Sequence, residues 1–267
     1  MNIHLVSRVL ASLIASLCVC GGCLAQSLGT AFSDLWWNPA ESGWGVTIDH
    51  QQDVMFLTFF IYRNDGSPYW VTSLLTHPVD PNRPFFFSGD VYETRGPSFG
   101  QPFDASLVTN RKVGTAAFNA TQGNAATLTY SIDGTTVTKS IQRQTLRFLD
   151  FSGAFNGIVN YQLSSCANPA LNGQQLVLPG QLTILHSGAE YKMVLQTSLG
   201  TCGFVGTYAQ AGSIGAASGT LSCNDGTAGT FSMNAMQWTI YGMSAQIVAH
   251  QTGDCTLTGI IGGIGVH

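Results

Sequence analysis

From residue 31 onward the chain alternates apolar and polar residues in short runs, most of them ending at Gly, Asn, Asp or Ser. A period of two puts neighbouring side chains on opposite faces of a strand, and no stretch carries a competing 3.6-residue repeat. The first half offers about eight such runs, at 31–37, 43–50, 54–63, 68–76, 85–94, 111–119, 125–132 and 135–145. The second half offers about eight more, near 154–163, 180–187, 190–198, 201–211, 214–223, 228–236, 243–250 and 254–262, with Arg147 to Ser152 joining the halves. Short antiparallel strands with tight connections, eight to a unit, predict an all-β chain of two tandem up-and-down barrels, of avidin-like or lipocalin-like form. Stacked β-sandwiches are the alternative. The expected units are an N-terminal barrel over 26–148 and a C-terminal barrel over 149–267.

The first 25 residues read as an export signal. Arg8 supplies a positive start, and Val9–Cys20 is an apolar run too short for a comfortable membrane span. Cys23-Leu24-Ala25 offers small residues for cleavage after Ala25, and no transmembrane span is expected once the leader is removed. Lipidation of Cys23 is the rival outcome, although Cys20 stands where the usual leucine would be. The expected address is the periplasm, the cell surface or the medium. Cys166, Cys202, Cys223 and Cys255 remain in the mature chain. An even number in an oxidising compartment predicts two disulfides, and spacings of 36, 21 and 32 residues lack the close pairs of a zinc site.

Turn chemistry predicts registers. Asp65-Gly66 suits a two-residue type I′ turn, which would set Tyr62 opposite Tyr69, Ile61 opposite Trp70 and Phe59 opposite Thr72. A turn at Gln51-Gln52 would set Trp44 opposite Phe59 and Val46 opposite Leu57. Together they gather Trp44, Val46, Ile48, Met55, Leu57, Phe59, Ile61, Trp70 and Leu74 on one apolar face. Gly43, Gly45, Thr47, Thr58, Phe60, Tyr62, Tyr69 and Val71 fall on a mixed face. In the second unit, Gly212-Ser213 suits a type II′ turn, and counting outward from it brings Cys202 opposite Cys223 at a non-hydrogen-bonded pair. Cys166 then joins Cys255 by elimination, which in a closed barrel staples the first strand of the unit to the last.

Charged residues are scarce, at 9% with formal net charge −4, and the ten basic residues never cluster. Nucleic acid and anionic membrane surfaces are therefore not expected partners. No Gly-x-Ser-x-Gly elbow, His-Glu-x-x-His pair or phosphate-cradling loop occurs, so no catalytic residue, metal or cofactor is assigned. NDG (64–66), IDG (132–134) and NDG (224–226) read as turns rather than calcium loops. His50 with Asp49 and Asp53 reads as solvated turn chemistry. His186 and His250 sit near strand ends and would serve a hydrolase only if closure brought one of them to a serine and a carboxylate.

Trp36, Trp37, Trp44 and Trp70 fall within about 35 residues, while the second half has Trp238 alone. Large aromatics fill small barrels, and they also line binding pockets beside a few polar groups. Trp36 and Trp37 must point to opposite faces, so at most one is inside. Asn38 is placed to form an Asx turn, and Glu41 is the one acidic residue in the tryptophan-rich turn. If the mouth of the first barrel binds a ligand, the candidate contacts are Trp36, Trp37, Trp44, Trp70, Asn38 and Glu41.

The runs WWNPAESGWG, YRNDGSPYW and DGTTVTKSIQRQ resemble a domain of proteobacterial secreted and surface proteins, over most of residues 31–147. That family carries no established activity, so the resemblance implies export and no catalytic residue. The Gly-x-Trp-rich first strands resemble avidin-type barrels more loosely, without a biotin-contacting pattern that can be aligned. The expectation is an exported, non-catalytic binding module for a small apolar ligand or a glycan. The alternatives are a structural or adhesive cell-envelope module that binds a partner protein, and a hydrolase.

Overall fold

The computed structural model describes residues 31–266, apart from Val79, Pro81, Gly253 and Asp254. The expected leader, its cleavage after Ala25 and the lipidation alternative at Cys23 lie outside the described residues. The strands of the first half are β1 (Asp34–Trp37), β2 (Gly45–Gln51), β3 (Val54–Tyr62), β4 (Pro68–Thr76), β5 (Phe86–Arg95), β6 (Thr109–Gln122), β7 (Ala125–Ile132) and β8 (Thr135–Arg143). Those of the second are β9 (Gly153–Ser164), β10 (Gln175–Ser187), β11 (Glu190–Thr197), β12 (Gly200–Ala211), β13 (Ile214–Cys223), β14 (Ala228–Thr239), β15 (Gly242–Gln251) and β16 (Thr256–Gly265). Each set closes into an antiparallel eight-stranded barrel, β1 pairing with β8 and β9 with β16. The tandem-barrel expectation holds, and the sandwich alternative falls.

Closure follows from the alternation. Inward residues of the first barrel, among them Trp36, Met55, Leu57, Phe59, Val71, Phe118 and Leu128, are wholly buried. Leu182, Ile184, Tyr191, Met233 and Ile261 do the same in the second. The interiors are packed side chains along most of their length, as expected for eight strands.

Two expected registers are corrected. β3 meets β4 with Ile61 opposite Tyr69, Phe60 opposite Trp70 and Phe59 opposite Val71, one residue away from the two-residue-turn expectation. The loop has three residues, Asn64-Asp65-Gly66: Arg63 and Ser67 close it, and only Gly66 takes positive φ, at 79°. The Asp65 carboxylate accepts from the backbone N–H and hydroxyl of Ser67, which favours this turn followed by a left-handed glycine. A one-residue slip exchanges the faces. Trp70 and Leu74 therefore lie outside, about half exposed, while Tyr69 and Val71 point inward. The β2–β3 turn is Gln52-Asp53 rather than Gln51-Gln52, with Gln52 at φ 59° and Val46 opposite Phe59. That change moves partners by an even step, so the apolar face of β2 and β3 stands.

The second barrel keeps its expected pairing. Ala211 lies opposite Ile214 and Cys202 opposite Cys223, and the disulfides are Cys202–Cys223 and Cys166–Cys255. The second bond lies beside Ser164↔Thr256, where β9 and β16 close the barrel.

Both barrels are shut at one end by the same small motif. In the first, the backbone N–H of Phe32 donates to His50 Nδ1 (3.2 Å), the N–H of His50 donates to Ser33 Oγ (2.8 Å), and His50 Nε2 faces the Gln52 carbonyl (2.8 Å). In the second, Phe151 donates to His186 Nδ1 (3.4 Å), His186 to Ser152 Oγ (3.0 Å), and His186 Nε2 faces the Gly188 carbonyl (2.8 Å). Phe32 and Phe151 are buried, each ring beside its histidine. We call this motif the latch. The latch of the first barrel is braced by Arg143, whose buried guanidinium donates to the carbonyls of Ala31, Ser33 and Gly123 and pairs with Asp34 at 3.0 Å. Asp34 also accepts from the N–H and hydroxyl of Ser213 in the β12–β13 turn, and Thr145 Oγ1 accepts from the N–H of Gly212.

Candidate functional site

The end of the first barrel opposite its latch is open. The strand ends and turns there surround a cavity of about 750 Å³, whose walls take Trp44 from the chain just before β2, Ile61 from β3, Tyr69 from β4, Tyr130 from β7 and Val137 from β8. Charged residues stand around it: Glu41, Arg63, Asp65, Asp133 and Lys139.

The tryptophan-rich turn builds one wall. Asn38 forms the expected Asx turn, its side-chain oxygen accepting from the N–H of Ala40, while its carbonyl accepts from the N–H of Glu41. This turn carries Glu41 over the mouth, where one carboxylate oxygen accepts from the Trp44 indole N–H at 2.9 Å. Lys139 pairs with the same carboxylate at 2.7 Å and lies 5.8 Å from the Trp44 ring centre. The hydrogen bond from Lys139, ahead of that from Trp44, holds the Glu41 carboxyl below its ordinary range. Trp44 is thus fixed in orientation with its N–H already satisfied.

The opposite wall rests on an ion-pair chain. Glu93 of β5 is buried and accepts from Arg63, Arg95 and Arg111, and Arg111 continues to Asp133 at 2.7 Å. Hydrogen bonds from Arg111 and then Arg63 hold the Glu93 carboxyl at about 2. The Arg63 guanidinium stacks on the Tyr69 ring, 3.8 Å from its centre. Tyr69 is buried, and its hydroxyl has no hydrogen-bond partner among the described residues. Burial pushes the Tyr69 and Tyr130 phenols up, so both remain neutral donors at physiological pH.

The structure divides the expected contacts. Trp44 and Glu41 line the cavity, and Asn38 shapes the turn that positions Glu41. Trp36 does not line it: it is core, edge-on to Phe118 at 5.3 Å, with its N–H donating to the Phe32 carbonyl. Trp37 faces the other way, and its shielded indole N–H has no partner among the described residues. Trp70 lies on the outer wall opposite Phe60. Arg63, Tyr69, Tyr130, Asp133 and Lys139 were not among the expected contacts. Charges crowding around aromatics in so uncharged a chain were the available signal.

His186 lies beside Ser152 and Asp150, but its ring does not meet the serine hydroxyl. Ser152 Oγ bonds the backbone N–H and carbonyl of His186 rather than its ring, and Asp150 stands 3.8 Å from Nδ1. Both ring nitrogens of His186 instead face main-chain groups of the latch. His250 lies at the far end of the second barrel, with Nδ1 3.0 Å from Thr256 Oγ1. Among the described residues no group of three or more His, Cys, Asp or Glu side chains could hold a metal ion. No helix of the described residues is long and apolar enough to cross a membrane. Neither a family model nor a curated protein matches the chain.

Proposed function

We propose that the protein is an exported, non-catalytic binding module whose N-terminal barrel mouth holds a small glycan. The observation that carries this reading is the buried Tyr69 hydroxyl, unpartnered among the described residues, at a cavity walled by Trp44, with Glu41, Arg63, Asp133 and Lys139 around it. Sugars present an apolar ring face beside hydroxyls. They match an indole wall next to donors and acceptors better than a purely apolar ligand does. A buried hydroxyl without a partner costs about 1–3 kcal/mol, which a ligand acceptor would relieve. The two disulfides are compatible with an exported protein. Its resemblance to proteobacterial secreted and surface domains points the same way.

The test is a tryptophan-emission titration against a panel of envelope-type oligosaccharides. A binder should shift the emission, and Trp44→Ala and Tyr69→Phe should each weaken it at least tenfold while Trp37→Ala leaves it unchanged. Silence across the panel, or equal binding by all three variants, would sink the reading.

A second reading places a partner protein of the cell envelope on the outer wall. It rests on the cross-strand pairs Phe60–Trp70 and Phe56–Leu74, all about half exposed and flanked by Tyr62. Loss of envelope-protein co-purification in a Phe60→Ser/Trp70→Ser double variant, with glycan binding intact, would select it.

A further inference from the structure

The second barrel is also open opposite its latch, and its mouth has different chemistry. A pocket of about 170 Å³ enters between the strand ends, with Val159, Leu195, Leu221, Ile247 and Leu257 on its walls. The Cys202–Cys223 disulfide forms part of the lining, and the floor is Phe204, packed edge-on to Phe231 at 5.2 Å. Exposed Leu199 stands at the lip, in the connection between β11 and β12.

We infer that this pocket is a second, independent binding site for a small uncharged apolar molecule, a short alkyl chain or single ring carrying at most a neutral polar end. Three observations limit the occupant. The volume is close to that of an apolar cavity of about 150 Å³ that stays dry and takes up one benzene. The walls are apolar, so burying hydrocarbon there gains transfer free energy without stranding a polar group. Charge decides the rest. Among the described residues no Lys, Arg or His lines the pocket, and the one charged lining residue is Asp225. Lys192 is the only Lys or Arg in residues 149–267, and it lies near the latch end, opposite Leu185 and Val205. A carboxylate or phosphate ligand would be desolvated there facing a like charge. The polar groups at the rim, Thr197, Asn224, Thr227 and Gln251, suit a hydroxyl or amide.

The site is separate from the glycan mouth proposed above, and its test reads different residues. The full mature protein would be titrated with the straight-chain alcohols from butanol to octanol and with octanoate, following the methyl resonances of Leu195, Leu221 and Ile247. Each added methylene should tighten binding about fourfold until the pocket is filled. Octanoate should bind at least tenfold more weakly than octanol. Ala249→Leu, which fills the wall, should abolish the response. Tryptophan emission should not move, because Trp238 sits at the latch end of β14 opposite Met243. The assignment is overturned if affinity ignores chain length, if octanoate matches octanol, or if the shifts appear in the first barrel. The alcohol and carboxylate comparison uses the unaltered protein, so it decides the assignment even if Ala249→Leu fails to fold.

Discussion

Phe32 gives its backbone N–H to Nδ1 of His50, and Phe151 gives its own to Nδ1 of His186. The two barrels share little sequence around these pairs beyond a Phe-Ser step and a histidine near the end of the next strand. The repeated bonds show that sealing one end of such a barrel calls for the same solution twice: a buried ring for the plug, and an imidazole that accepts on one side and meets a turn carbonyl on the other.

The first latch makes stability depend on pH. Only the neutral imidazole can accept from Phe32. Burial, followed by the charge of Arg143, pulls His50 below its ordinary value of 6.5, against the opposing effects of the Gln52 carbonyl and Asp49. The unfolded chain therefore binds this proton first, so the contribution is complete above about 6.5 and lost as pH falls toward the depressed value. His50→Gln should cost about 1 kcal/mol at pH 7.5. It should also flatten the fall in Tm between pH 7.5 and 5, and an unchanged slope would contradict the assignment.

Glu93 gives a second, more acidic dependence. Its carboxyl is depressed from 4.5 to about 2, so its contribution is present above about 4.5 and disappears as pH drops through about 2. Glu93→Gln leaves three guanidiniums without their shared anion and should cost about 1–3 kcal/mol at pH 7. Urea midpoints of variant and parent should converge near pH 2.

The two disulfides should differ in weight. Cys166–Cys255 spans 89 residues and Cys202–Cys223 spans 21. On loop-closure entropy these correspond to about 4.5 and about 3 kcal/mol respectively. Paired Cys→Ser variants compared by chemical denaturation should show the larger loss for the seam bond. The reverse order would mean that the unfolded state is far from a free chain.

Asp34 ties a latch to the neighbouring barrel. Asp34→Ala removes the ion partner of buried Arg143 and both bonds from Ser213. A loss of about 3 kcal/mol is expected. Gly212→Ala should act in the same direction, because its φ is +60° and a Cβ there would run into the Asp34 carboxylate. Calorimetry should show the two barrels melting further apart in either variant.

Strand existence was legible because most runs alternate between turn signals, although the first, AFSDLWW, does not and forms a strand of four residues. The disulfide pairing was legible because one turn, Gly212-Ser213, fixed an uninterrupted ladder out to Cys202 and Cys223; the register shift of this sheet lies on the other side of β13, where β14 carries the extra residue. The β3–β4 register was not. Asp-Gly serves both loop lengths: Asp133-Gly134 is a two-residue turn with positive φ at both positions, whereas Asp65-Gly66 takes in Asn64. That single residue decided that Tyr69, not Trp70, faces the cavity. Glu41 and Trp44 could be found locally, being three residues apart. Lys139 lies 98 residues from Glu41 and meets it only because the barrel closes.

Since each cylinder is plugged by its phenylalanine and histidine, both behave as cups rather than conduits. A guest must leave by the rim through which it came. If the two mouths hold ligands as proposed, each can store its ligand or hand it over, but cannot pass it through.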